Sequence, residues 1–315
     1  MKPNCLLLEY ISSEALAILE KHTNVQFAKT PASGMEIATK MPIDAIVTRS
    51  SGQVAEQLIN HCQGLKMIAR CGVGLDNVDI SLASKLGIRI INAPGSNAAT
   101  VAEHTLALLL AAKRQVPTYA KAAKANNWMH RSQYDGDEIR GKTLGILGLG
   151  NIGSRVAQLA TAFGMTVQYW NRTPKDTPYL QVTFDKLIST SDIISIHLPQ
   201  VKATHHLVDA IAFQKMKSTA FIINTARGTI IDESALIEAL KKQTIAGFAA
   251  DVLYNEPPIN NHALFQFPNV LITPHTASLT ALTFNEMCVV TVNNLVDFLA
   301  GKDIEERFIF NRAAF

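Results

Sequence analysis

The sequence predicts an α/β protein of two doubly wound parallel-sheet domains, one inserted in the other. Three observations lead there. Short apolar, β-branched runs alternate with helical patterns along nearly all of the chain, as expected for parallel strands covered by helices on both faces. A length of 315 residues fits two domains at a prior of roughly 150 residues each. Two Ala- and Leu-rich stretches are too long for ordinary crossovers and read as bridges between the domains.

Taken in order, Ala45–Thr48, Leu65–Ala69 and Ile88–Ile91 read as strands of the first third. Thr100–Lys124 reads as one long helix. Thr143–Leu147 is a strand, and the helix Ile152–Phe163 follows, with Ile152, Val156, Leu159, Ala160 and Phe163 on one apolar face. Thr166–Trp170, Ile193–Ile196, Ala220–Ile223, Ile245–Ala249 and Val270–Ile272 are further strands, and Leu279–Ala300 is the second long helix. If both long helices cross between domains, the two ends of the chain share one domain. The expected division is 1–99 with 285–315 for the terminal domain and 100–284 for the inserted one.

Composition excludes several classes of function. With 48% hydrophobic and 17% charged residues the chain is globular rather than disordered. A net charge of +3 and the lack of any basic block give no footprint for nucleic acid. The longest clean apolar run, Thr105–Ala112, falls far short of the roughly 20 residues that span a bilayer. Leu6-Leu7-Leu8 is interrupted by Glu9 before a signal-peptide core can form, so a cytoplasmic location is expected. Cys5, Cys62, Cys71 and Cys288 are scattered and form no CxxC pair, which argues against disulfides and zinc. His205-His206 reads as a solvated pair, and no metal is expected.

The strand Thr143–Leu147 runs into Gly148-Leu149-Gly150-Asn151-Ile152-Gly153, a GxGxxG followed by a helix. Gly148 suits the tight turn, Gly150 lets a pyrophosphate approach the backbone, and Gly153 permits close helix–strand packing. Free N–H groups at the helix start, around Asn151 and Ile152, then face the diphosphate. With a second strand ending at Trp170, this is the Rossmann pattern of a dinucleotide site. The residue ending that second strand normally reads the ribose, an acid selecting NAD. Here Asn171 takes its place, followed by Arg172, Thr173 and Lys175, so NADP is favoured over NAD.

Three later strand exits carry chemistry: Asn224-Thr225-Ala226-Arg227-Gly228, Asp251 to Glu256-Pro257-Pro258, and Thr273-Pro274-His275-Thr276. Carboxyl ends of strands line the ligand crevice of an open α/β sheet. One such residue alone reads as a salt bridge or loop contact, but an Arg, an acid and a His at the strand exits of one nucleotide domain point to a functional site beside the glycine loop.

These stretches resemble the D-isomer-specific 2-hydroxyacid dehydrogenase family. Arg70-Cys71-Gly72-Val73-Gly74-Leu75-Asp76-Asn77-Val78-Asp79, Asn92-Ala93-Pro94-Gly95, Val101-Ala102-Glu103-His104 and His197-Leu198-Pro199 carry the likeness together with the motifs above. The resemblance covers nearly the whole chain. It implies a Rossmann cofactor domain inserted in a flavodoxin-like substrate domain. It also implies hydride exchange between a nicotinamide cofactor and a small 2-oxo acid or D-2-hydroxy acid. Arg227, Glu256 and His275 match the family's catalytic set. Arg227 would anchor the substrate with backbone N–H groups of Cys71, Gly72, Val73 and Gly74. Leu198, Pro199, Thr204, Thr225 and Ala226 match cofactor-lining positions, and Asp251 matches the residue that holds the nicotinamide carboxamide. A homodimer through the nucleotide domains is implied, and Thr100–Lys124 offers apolar surface for it.

Two alternatives share the pattern. A corepressor-like, nucleotide-sensing branch also keeps an Arg–Glu–His set, and turnover of 2-oxo acids would distinguish it. A short phosphoglycerate dehydrogenase is the other, since no regulatory domain follows Phe315. Formate dehydrogenases have Gln where Glu256 stands. His275-Thr276-Ala277-Ser278 lacks the aromatic that lactate-type members carry after the His, which turns the expectation toward a glyoxylate/hydroxypyruvate or broader 2-oxo-acid reductase.

Overall fold

The computed structural model describes residues 2–28, 30–133 and 136–315. The chain divides into two compact units, one made of the residues up to Asn97 with Leu279–Phe315, the other of Ala98–Ser278.

In the first unit the strands are β1 (Asn4–Leu7), β2 (Asn24–Phe27), β3 (Ala45–Thr48), β4 (Met67–Arg70) and β5 (Arg89–Ile91). Helices α1 (Ser13–His22), α2 (Pro31–Lys40), α3 (Glu56–His61) and α4 (Ile80–Lys85) alternate with them. All neighbours are parallel, in the order β2-β1-β3-β4-β5, which is the flavodoxin-like winding. The strands bury both faces, with period 2. Leu6, Ile46, Ile68 and Ile90 join one core layer, while Cys5, Leu7, Val47, Met67, Ala69 and Ile91 join the other. Just past β1, Glu9 closes the turn after β3. Its Oε2 accepts the backbone N–H of Arg49, Ser50, Ser51 and Gly52 at 2.9, 2.7, 3.0 and 2.8 Å.

The second unit holds α5 (Ala98–Lys113), α6 (Val116–Lys124), β6 (Thr143–Leu147), α7 (Asn151–Ala162), β7 (Thr166–Trp170), β8 (Leu180–Gln181) and α8 (Phe184–Thr190). It continues with β9 (Ile193–Ile196), α9 (Ala210–Lys215), β10 (Phe221–Asn224), α10 (Glu233–Lys241), β11 (Gly247–Ala250) and β12 (Val270–Ile272). The parallel order β12-β11-β10-β9-β6-β7-β8 is the doubly wound Rossmann order, with its switch point between β6 and β9. The last helix, α11 (Ala281–Leu299), belongs to the first unit and buries Met287, Cys288, Val292 and Leu295 there.

The expected long helix Thr100–Lys124 is two helices. Pro117 cannot donate a helical N–H, and its ring crowds the preceding turn. The chain breaks at Gln115 with φ 49°, α6 restarts with Pro117 in its first turn, and the Lys113 carbonyl accepts the Asp137 N–H at 2.9 Å instead. Neither long segment bridges the units: α5 begins the second, and α11 follows the return at Leu279. The return falls six residues before the expected 285 because Thr280, with its hydroxyl on the Thr283 N–H, caps α11 inside the first unit. The starts of β4, β5, β10 and β11 lie one or two residues later than expected, since Leu65, Ile88, Ala220 and Ile245 are buried on the approach to the strand. No described helix is long and apolar enough to cross a membrane.

Candidate active site

Parallel strands place every chemically distinctive segment of the second unit at one carboxyl edge. The glycine turn leaves β6, Asn171–Thr173 leaves β7, His197–Pro199 leaves β9, and Arg227, Asp251 and His275 follow β10, β11 and β12.

The glycine turn is built as its spacing predicts. Gly148 has φ +99°, and a Cβ there would stand 2.7 Å from the His197 carbonyl oxygen. A Cβ on Gly153 would collide with the Gly148 carbonyl, so α7 can seat against β6 only with glycine. Around Gly150 the space is open, and no side chain caps α7 there. That combination of an open cradle, exposed helix N–H groups and the positive end of a helix dipole suits a diphosphate. Asn171 braces the turn: its Oδ1 accepts the Leu149 N–H at 2.7 Å. Arg172, Thr173 and Lys175 beside it are exposed. Burial pushes the His197 imidazole down to about 3, so it is a neutral ring bonded to Ser195 Oγ at 2.8 Å.

At the other strand exits three side chains converge. His275 Nδ1 lies 2.6 Å from Glu256 Oε2, and Glu256 Oε1 accepts the Leu253 N–H at 2.9 Å. A carboxylate only accepts, so Nδ1 carries the proton and Nε2 is the free edge of the ring. The hydrogen bond that His275 donates to Glu256 raises the His275 pKa, against the opposing effects of burial and of Arg227. Burial alone would raise the Glu256 carboxyl, yet the bonds from His275 and the Leu253 N–H, with the Arg227 charge, hold it below its ordinary value. Arg227 stands on a turn clamped by buried Asn224, whose Oδ1 accepts the Ala226 N–H and whose Nδ2 donates to the Arg227 carbonyl, both at 3.0 Å. Gly228 lets this turn cross the next: a Cβ there would run into the Leu253 carbonyl and the Tyr254 nitrogen.

His275 has φ +54°, a left-handed conformation rare for a residue with a Cβ. Asp251 holds it there. Its carbonyl accepts the His275 N–H at 2.9 Å, Oδ1 accepts the Thr276 N–H at 2.8 Å, and Oδ2 accepts the Ala277 N–H at 2.7 Å.

Comparison with known proteins settles the family. The model of the D-isomer specific 2-hydroxyacid dehydrogenase NAD binding domain matches residues 106–277. The chain belongs to the D-isomer specific 2-hydroxyacid dehydrogenase family. It is 36% identical over 315 residues to a glyoxylate reductase of Aeropyrum pernix, covering 96% of this chain and 94% of that one. It is 37% identical over 302 residues to a D-3-phosphoglycerate dehydrogenase of Archaeoglobus fulgidus, covering 94% of this chain. The chain spans only 57% of that relative's length. Among solved structures it resembles an NADPH-dependent glyoxylate/hydroxypyruvate reductase of Sinorhizobium meliloti in complex with NADP and malonate. The TM-score is 0.89 and the identity 29%, with 98% of each chain covered.

Several predicted positions have their polar groups engaged within the chain. The Thr204 hydroxyl donates to the Pro199 carbonyl at 2.7 Å, closing its own turn. The Thr105 hydroxyl donates to the Val101 carbonyl at 2.7 Å, so the Thr225 hydroxyl, 2.9 Å away, donates to Thr105. In the first unit, the N–H groups of Cys71 and Gly72 donate to the Thr48 and Arg70 carbonyls at 2.9 and 2.8 Å. A hydrogen bond with Cys288, and burial, push the Cys71 thiol up, away from a reactive thiolate. Asn224 and Thr273 stand in stretches singled out from the sequence, but their bracing roles had no signal there, because hydrogen-bond direction depends on tertiary neighbours.

Proposed function

We propose that this dehydrogenase reduces a small 2-oxo acid to the D-2-hydroxy acid, with NADPH preferred. The observation that carries the reading is the His275–Glu256 pair beside Arg227 at the carboxyl edge of a dinucleotide-type sheet. A bound nicotinamide cofactor supplies the hydride. His275 Nε2 gives the proton to the carbonyl oxygen, because Nδ1 is committed to Glu256. Glu256 keeps the imidazolium populated near neutral pH. Arg227 forks to the substrate carboxylate and offsets the charge that develops on the oxygen.

Cofactor preference rests on exposed Arg172, Thr173 and Lys175, which offer charge and a hydroxyl to a 2′-phosphate where Asn171 presents no repelling carboxylate. The NADP complex of the Sinorhizobium meliloti relative supports it. Association as a C2 dimer is part of the same reading: α6 has no buried residue, and its Val116 with Trp128 and Met129 shortly after it expose apolar surface.

Steady-state assay of glyoxylate, hydroxypyruvate, pyruvate and phosphohydroxypyruvate with NADPH and NADH tests the reading. Turnover of unphosphorylated 2-oxo acids, faster with NADPH, is expected. Turnover restricted to phosphohydroxypyruvate with NADH would favour the phosphoglycerate dehydrogenase alternative, which the Archaeoglobus fulgidus relative supports.

A further inference from the structure

The segment Val101-Ala102-Glu103-His104 has no part in the mechanism above, yet His104 touches its supports. Thr273 Oγ1 lies 2.6 Å from Asp251 Oδ1 and 3.0 Å from His104 Nε2. A hydroxyl owns one proton and a carboxylate can only accept, so Thr273 donates to Asp251. His104 must then donate to Thr273, with the proton on Nε2. The chain of donors runs one way, from α5 through the residue after β12 to the residue after β11.

Asp251 is 1% exposed, and its carboxylate accepts from four chain donors. Those are the Thr273 and Thr276 hydroxyls and the Thr276 and Ala277 N–H groups. His104 Nε2 also stands 3.6 Å from Asp251 Oδ1. α5 is a firm base for this contact, because Val101, Thr105 and Leu108 around His104 are buried in the second unit.

We propose that His104 is a positioning residue for His275: by donating through Nε2 to Thr273 it fixes the proton of that hydroxyl on Asp251, whose carboxylate and carbonyl hold the His275 turn in its left-handed conformation. This rests on the reading of His275 as the proton donor. Without the His104 donor, the Thr273 hydroxyl is free to rotate off Asp251. The Thr276 and Ala277 N–H groups then lose a fixed acceptor, and the His275 ring loses its aim at Glu256.

The test uses His104→Leu, His104→Gln and Thr273→Val in the full chain. His104→Leu and Thr273→Val should each lower kcat by about tenfold to a hundredfold, the loss expected when a reacting group moves by about 1 Å. KM for the 2-oxo acid should change by less than about threefold, since the substrate anchor Arg227 is untouched. His104→Gln keeps a side-chain N–H donor and should recover most of the rate. The second readout needs no substrate: NMR titration of the His275 ring, which faces Glu256, Arg227 and Asp251. In the parent and in His104→Gln its pKa should stand above the ordinary 6.5, and in His104→Leu it should fall toward that value. An unmoved His275 titration in His104→Leu, or equal behaviour of the Leu and Gln variants, overturns the proposal. If the parent chain turns over no 2-oxo acid, the functional reading fails, while the titration still decides the role of His104.

Discussion

Nδ1 of His275 sits 2.6 Å from Oε2 of Glu256, and the backbone of Leu253 holds the other carboxylate oxygen at 2.9 Å. The two residues come from exits of adjacent strands, β11 and β12, so their pairing depends on sheet register as well as on the side chains. Both face solvent in part, with side-chain exposures of 48% and 35%, which leaves the ring open to proton exchange with water.

The first prediction concerns pH. The His275 pKa is raised by Glu256, so the protonated ring persists to higher pH than an isolated imidazole. In the proposed mechanism reduction needs that protonated form, so its rate should be full below the folded pKa and be lost as pH rises through it. Glu256→Gln keeps a hydrogen-bonding group but removes the charge, and the alkaline limb of the kcat profile should shift to lower pH. An unchanged limb would mean that Glu256 acts some other way.

Gly228→Ala tests the crossing of the two loops. The added Cβ meets the Leu253 carbonyl and the Tyr254 nitrogen, so the Arg227 turn must move away from the Glu256 segment. A displacement of about 1 Å should cost roughly a hundredfold in kcat/KM. Thermal denaturation should also show a lower Tm. Near-parental kinetics would show that the loops can separate without consequence.

Arg172→Ala tests cofactor choice. Loss of one charge-assisted contact worth about 1.5–3 kcal/mol should lower kcat/KM for NADPH by about ten- to a hundredfold. That for NADH should stay within about twofold, because its ribose carries no 2′-phosphate for the Arg to meet. Equal losses with both cofactors would assign Arg172 a structural part.

Glu9 predicts an acid limit to stability. Burial raises its carboxyl, but backbone bonds from Gly52, Ser51 and Arg49 bring it down from 4.5 to about 2. A depressed carboxyl stabilises the fold fully above its unfolded pKa, and that contribution is lost as pH falls from 4.5 through about 2. The shift corresponds to about 3 kcal/mol. Glu9→Gln should lower unfolding free energy at pH 7 by about 2–3 kcal/mol. It should also flatten the acid dependence in denaturant titrations; a variant as acid-sensitive as the parent would contradict this.

Local patterning made much of the molecule readable. Five strands, including β6, β7 and β12, have the expected bounds, because each is a short apolar run ended by a turn residue. The glycine turn is legible because Gly148 and Gly153 each answer a backbone constraint that no other residue satisfies, while Gly150 leaves the cradle open. Three strands escaped the reading. β1 lies in a run weighed only as a signal peptide, β2 is a mixed-polarity edge strand, and β8 is a two-residue edge.

What the sequence by itself determined is therefore the strand–helix alternation, the parallel architecture and the dinucleotide turn. All of these follow from residue type and spacing along the chain. Tertiary structure alone decided the break of the long helix at Gln115, the engagement of Thr204 and Thr225 within the fold, and the support of His275 by Asp251, Thr273 and His104. The physical reason is that a hydrogen bond is a relation between groups distant in sequence. Asp251 meets Thr276 and Ala277 across 25 and 26 residues, and His104 meets Thr273 across 169. No local pattern records which lone pair is already taken.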